Sequence, residues 1–195
     1  GKCGKWPEPS LDKVTFNLMT ARRSGYKVLE WGMACSGEWI MQAPSEAPEV
    51  IFEEKQVSQE YIDRKFPGYT GGRKEINIFM KKHAHMFFDL QEWKQYLKTQ
   101  GFTFSFGMRF HGNMLSHLCG IPSLWITHDS RTRELVETLK LPSVDHDELE
   151  KIKYPEELVE KCDYSEMYKN YNRLYWEYVT YLDENNINHK LKPKT

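Results

Sequence analysis

Between Phe102 and Lys140 two short apolar runs alternate with two segments of helical period, and this rhythm constrains the fold more than any other feature. "FTFSFGMR" and "IPSLWITH" are nearly continuous apolar stretches, the pattern of strands covered on both faces. "NMLSHLCG" reads as a short helix closed by Gly120, and "SRTRELVETLK" as a helix stopped at Leu141-Pro142. Strand, helix, strand and helix with short connections are the mark of βαβ units in a parallel sheet. Just upstream, "HMFFDLQEWKQYLKTQG" predicts a helix capped by Asp89 and ended by Gly101, with Leu90, Trp93 and Leu97 on one face. The fold class expected is therefore α/β, a parallel sheet flanked by helices.

The amino-terminal part is less regular. "KVTFNLMTAR", Lys13 to Arg22, is rich in β-branched and apolar residues and reads as a strand. "GYKVLEWGMA" follows a Ser24-Gly25 turn and reads as a second strand, close enough to the first for a hairpin. From Gly37 to Gly72 the pattern loosens: "APSEAP" is loop-like, and "PEVIFEEKQVSQEYIDRKF" accommodates a short helix before Pro67-Gly68. "EINIFMKK" suits either a strand or a short helix. At the other end, Tyr164, Tyr168, Tyr171, Tyr175, Tyr178 and Leu182 recur at alternating steps of four and three, lining one face of a long helix. Such a face either packs on its own domain or docks onto another domain or subunit, for which tyrosine is well suited. The expected division is an α/β domain over 1–160 and a Tyr-striped helix with its tail over 161–195.

Composition narrows the function classes. At 195 residues, with a net charge of −1 and abundant aromatics, the chain can bury a real core and lacks the positive excess that drives nucleic-acid binding. No apolar run approaches the ~18 residues of a membrane span. "GKCGKWPEPS" lacks the apolar core of a signal peptide and an initiator Met, as expected of a processed or truncated chain. Cys3, Cys35, Cys119 and Cys162 form no CxxC pair, which argues against a thiolate zinc site, and Cys119 reads as a buried thiol. The expected setting is a reducing cytoplasm. The histidines lack metal-ligand spacing, apart from an adventitious His83-x-His85, so neither metal nor cofactor is expected.

Two polar clusters stand where the apolar strands stop. In an open parallel sheet, ligands bind outside the carboxyl ends of the strands. Arg109, His111, Gly112 and Asn113 fall at one such end, with Asn113 expected to cap the next helix and Gly112 to let backbone approach a ligand. Free amides of a first helical turn favour an anion, and an arginine adds a bidentate fork. Imidazoles ordinarily exchange protons near neutral pH, which makes His111 the candidate acid or base. One βα unit later, His128, Asp129, Ser130 and Arg131 occupy the next strand end, with Asp129 or Ser130 as cap, and the two clusters could share a ligand. The structural alternatives are as plain: an Arg109–Asp129 ion pair holding two loops, histidines satisfied in turns, and a packed or solvent-facing His117.

"GMRFHGNMLSHLCGIPSLWITHDSRTRELVETLKLP" resembles the carboxyl-terminal signature of the polysaccharide pyruvyl transferase family. The family's G-x-R-x-H-G loop is matched by Gly107, Arg109, His111 and Gly112, its G-[IV]-P turn by Gly120-Ile121-Pro122, and its D-S-R-x-x-E-L start by Asp129, Ser130, Arg131, Glu134 and Leu135. The close resemblance runs from about Met86 to Pro142. It implies a Rossmann-like domain, the carboxyl-terminal half of a glycosyltransferase-B-type fold. It further implies transfer of pyruvate from phosphoenolpyruvate to a sugar of a surface polysaccharide, as in exopolysaccharide biosynthesis. Arg109 and His111 would be catalytic, Arg109 holding the phosphate or carboxylate and His111 acting as acid or base. Gly112, Asn113, His128, Asp129, Ser130 and Arg131 would line the substrate site. Members usually carry an amino-terminal half, so the chain is expected to work with a missing domain or as a homo-oligomer, through its Tyr-striped helix. The alternatives are a nucleotide-sugar-binding glycosyltransferase-like domain and a non-catalytic anion-binding or assembly domain.

Overall fold

Alternation along the central strands sorts their side chains onto two unlike faces of one sheet. The structure is a computed structural model that describes residues 5–20, 24–42, 47–53 and 55–191. Strands β1 (Val14–Asn17), β4 (Phe104–Gly107) and β5 (Ser123–Thr127) are buried along their whole length. With β2 (Glu38–Ile40), β3 (Ala84–His85) and β6 (Ser143–Asp145) they form a six-stranded parallel sheet in the order β3-β2-β1-β4-β5-β6. On one face Trp39, Phe16 and Phe106 lie in register across three strands, with neighbouring ring centroids 5.9 Å apart. Each is essentially excluded from water, a burial that contributes roughly 1.5–3 kcal/mol per side chain. The other face carries small polar residues, Thr15, Ser105 and Ser123, which let a helix come close.

Helix α1 (Gly25–Ala34) covers the aromatic face. This corrects the expectation of a second strand in a hairpin: "GYKVLEWGMA" is helical, and β1 pairs in parallel with β2. The helical period is present, since Gly25, Val28, Leu29 and Gly32 are all buried, the i, i+3, i+4, i+7 stripe of one helix face. Gly32 is decisive, because a Cβ there would lie 2.4 Å from the Phe16 ring. The first strand is also shorter than Lys13–Arg22, ending at Asn17, and residues 21–23 lie outside the described residues.

The loosely patterned middle holds β2, which the sequence did not reveal, then helices α2 (Ala47–Phe52) and α3 (Gln59–Lys65). "EINIFMKK" resolves as helix, inside α4 (Arg73–His83), whose Ile76, Phe79, Met80 and His83 are buried. Helix α5 (Leu90–Thr99) starts as expected, the Asp89 carboxylate accepting the Gln91 and Glu92 amides at 2.7 and 2.9 Å. Leu97 is its buried anchor and Trp93 is partly covered, while Leu90 stays exposed. Helix α6 (Phe110–Leu118) leaves β4, and Gly120, at φ +88°, turns the chain back into β5. Helix α7 (Ser130–Leu139) leads to β6. A 3₁₀ segment (His146–Lys151), α8 (Glu156–Glu160) and α9 (Ser165–Glu184) follow.

The amino-terminal half of the long helix is tied to the body. Tyr164, its cap residue, is buried, and its hydroxyl donates to the Ser123 carbonyl (3.0 Å) while accepting the Ser123 amide (2.8 Å). Trp6 stacks on His117 with centroids 4.2 Å apart and bonds the Tyr168 hydroxyl through its amide (2.7 Å). Farther along, Val179 and Leu182 are covered but Tyr178 is exposed. The tyrosine stripe is therefore core at one end and surface at the other.

Candidate functional site

The strand order reverses between β1 and β4: from β1 the chain proceeds outward to β2 and β3, then returns to β4 and continues the other way. In doubly wound sheets this switch point opens a crevice at the carboxyl ends of the two strands. Here those ends are Asn17 and Gly107, partners in register. They approach so closely that a Cβ on Gly107 would lie 2.0 Å from the Asn17 carbonyl oxygen. Gly107 thus permits the tight edge from which the chain passes through Met108, buried in the core, to Arg109.

Asn17 and Asn113 hold this edge. The Asn17 Oδ1 accepts the Arg109 amide at 2.6 Å, and its Nδ2 donates to Asn113 Oδ1 at 2.9 Å. Asn113 Oδ1 also accepts from Ser105 Oγ (3.2 Å), and its Nδ2 donates to the carbonyls of Gly107 (2.8 Å) and Leu124 (3.3 Å). One fully buried amide therefore stitches β1, β4 and β5. The expectation that Asn113 caps the helix is corrected: Arg109 is the N-cap residue, and Asn113 lies a full turn in. Neither Asn17 nor this stitch was legible in the sequence, because what joins them is strand register.

Arg109 is half-buried, its Nε is shielded from water, and no hydrogen-bond partner or carboxylate holds its guanidinium among the described residues. The structural alternative of an Arg109–Asp129 ion pair is absent. Burial without a countercharge holds the guanidinium below its ordinary pKa, yet an arginine stays charged at any physiological pH. Just after it, the amides of Phe110, His111 and Gly112 open the helix, and such first-turn amides lack acceptors within their own helix. His111 is exposed at this turn, its ring edge-on to Phe110 at 5.8 Å. Gly112 is buried, and the group that its missing Cβ makes room for is Gln42, at the end of β2, with Nε2 2.4 Å from the Cβ position.

The second cluster sits on the neighbouring strand. His128 is buried, with Nε2 3.3 Å from Asp129 Oδ2. Asp129 caps α7 in a reciprocal box with Thr132, its Oδ1 taking the Thr132 amide at 2.7 Å. Ser130 and Arg131 are exposed on the first turn. His117 is packed, and burial pushes its pKa down to about 4, so it is neutral. The Tyr164 hydroxyl lies 3.1 Å from His117 Nδ1 as well as 3.0 Å from the Ser123 carbonyl.

Other polar groups are satisfied away from the crevice. Glu38 joins His83 (3.2 Å) and His85 (2.5 Å); burial raises its pKa, but these two bonds outweigh burial and leave it lowered. Asp145, His146 and Asp147 bring potential ligand atoms within 4.8 Å of one another. Asp145 is, however, already engaged by Arg133 and by Thr127 Oγ1 (3.0 Å). A groove of about 540 Å³ between α1 and α4, lined by Glu30, Tyr69, Glu75 and Lys82 among others, shares no residue with the strand-end crevice. Its walls carry no buried cation without a partner among the described residues.

Fold and edge together define a doubly wound α/β protein whose switch-point edge carries, at a helix start, an arginine with no carboxylate partner among the described residues. The chain belongs to the polysaccharide pyruvyl transferase family, whose model matches residues 20–130, a span that includes Arg109, His111 and His128. No curated protein and no solved structure matches the chain significantly. Among the described residues no helix is long and apolar enough to cross a membrane.

Proposed function

We propose that the β1/β4 crevice binds phosphoenolpyruvate and that the chain serves in transferring its pyruvyl group to a sugar of a surface polysaccharide. The observation that carries this reading is Arg109: a half-buried guanidinium with no countercharge among the described residues, beside the open amides of a helix start. Leaving a buried donor unsatisfied costs about 1–3 kcal/mol, a cost that an anionic ligand removes. Phosphoenolpyruvate presents a phosphate and a carboxylate on one carbon, and so suits a fork flanked by amides.

In the proposed reaction a protonated imidazole, His111, delivers a proton to the methylene carbon of the enol. The double-bond electrons form that C–H bond, leaving an oxocarbenium-like centre on the carbon that bears phosphate. A sugar hydroxyl adds there and gives its proton to the now neutral His111. A second hydroxyl then displaces inorganic phosphate, which carries away that hydroxyl's proton as a cyclic ketal closes. His111 suits the acid role because it is exposed at the crevice rim, where a substrate can reach it. Asp129 is proposed to order the next strand end through its cap, with His128, Ser130 and Arg131 facing the acceptor side.

Titration calorimetry of phosphoenolpyruvate into the chain tests the reading. Saturable binding is expected, weakened at least ~30-fold in Arg109→Ala, as for loss of a charge-assisted pair. In His111→Gln binding is expected to persist while transfer to the sugar is lost. Unchanged affinity in Arg109→Ala, or binding displaced only by a nucleotide sugar, overturns it.

A further inference from the structure

A second orphaned donor faces the same edge. Gln42 leaves the end of β2, and its Nε2 is shielded from solvent with no hydrogen-bond partner among the described residues. It belongs to the crevice by geometry. The Gly112 Cβ position lies 2.4 Å from Gln42 Nε2 and 3.0 Å from Asn17 Nδ2, and the Oδ1 of that same Asn17 amide fixes the Arg109 backbone at 2.6 Å. Two buried donors, a carboxamide and a guanidinium, thus flank the amides that open α6, and neither meets an acceptor among the described residues.

From this we infer that Gln42 is a ligand-positioning residue: its carboxamide N–H donates to an oxygen of the anion held by Arg109. Gly112 is then glycine because Gln42 needs the space. The inference rests on the proposed reading of the crevice as the phosphoenolpyruvate site. A neutral donor suits the position because a second cation beside Arg109 would raise the desolvation cost without adding direction. An amide instead fixes the orientation of a second oxygen.

The test is phosphoenolpyruvate binding to the full chain by calorimetry, with thermal melts to confirm folding. Gln42→Ala is expected to weaken binding about tenfold, the loss of one directed hydrogen bond. Gln42→Glu keeps shape and length but replaces a donor with an anion, so at pH 7.5 it weakens binding more than Gln42→Ala does. Relative to wild type at the same pH, that deficit shrinks toward pH 5, because a protonated carboxyl can donate again. A merely structural glutamine would not produce such a profile. Gly112→Ala displaces the carboxamide and reproduces the Gln42→Ala loss, and the double variant adds nothing further. Wild-type affinity in Gln42→Glu, with Arg109→Ala still defective, overturns the role of Gln42 and leaves the site reading standing. Absence of saturable binding by the wild-type chain overturns both.

Discussion

Replacing Asn113 with Asp changes one nitrogen to oxygen inside a fully buried stitch, which isolates hydrogen bonding from shape. In the native chain Nδ2 serves the Gly107 and Leu124 carbonyls at 2.8 and 3.3 Å, while Oδ1 receives Asn17 Nδ2 and Ser105 Oγ at 2.9 and 3.2 Å. The variant keeps the two accepted bonds. The two donated bonds become oxygen-to-oxygen contacts between buried groups. At about 1–3 kcal/mol for each buried group left without its partner, the cost is on the order of 4 kcal/mol. For a chain of this size each kcal/mol moves the melting point by about 2–4 °C, so Tm should fall by about 10–15 °C. Burial raises the folded-state pKa of the introduced carboxyl above its unfolded value. The penalty is therefore largest at pH 7 and eases toward pH 5, where the protonated carboxyl can again donate to Gly107. Urea unfolding followed by far-UV circular dichroism at both pH values measures this. A variant with Tm within about 2 °C of wild type that has lost phosphoenolpyruvate binding would refute the reasoning, and would make Asn113 a ligand contact instead.

Three further predictions concern the supports of the crevice. Gly107→Ala should destabilise by about 3 kcal/mol or more, because its Cβ meets the Asn17 carbonyl. Gly101→Ala, at φ +70° but with no atom within 4 Å, should cost only about 1–2 kcal/mol; equal urea midpoints for the two would contradict this. His117, held to about pKa 4 by burial, takes up its proton more readily when unfolded. Stability from this group is complete above the ordinary histidine range and is lost as pH falls from about 6.5 toward 4, on the order of 2–3 kcal/mol. His117→Gln should flatten that part of the pH–stability curve, and parallel curves would refute the assignment. Tyr164→Phe removes the hydroxyl shared by Ser123 and His117 and should cost about 2–4 kcal/mol in denaturant unfolding. A loss below 0.5 kcal/mol would mean that these bonds contribute nothing net.

By itself the sequence determined the βα rhythm from Asp89 to Leu139, because buried strands and amphipathic helices write their periods directly into residue type. Asp89 as a cap, Asp129 as one of two candidate caps, Gly120 as the close of a helix and the family of the Arg109–His111 loop were legible for the same local reason. "GYKVLEWGMA" misled because its β-branched and aromatic content outweighed the 25–28–29–32 stripe, which acquires meaning only with the Phe16 ring against Gly32. Short strands such as β2, β3 and β6 carry too few residues to show a period at all. Strand order was likewise decided by tertiary structure, since no local pattern states that β4 lies beside β1. That adjacency turns Asn17 and Asn113 into a stitch and leaves Arg109 without a countercharge among the described residues. It also brings Gln42 from a distant, loosely patterned segment to the first turn of α6. Residue chemistry is local, whereas a hydrogen-bond partner, or the lack of one, is a property of the packed chain.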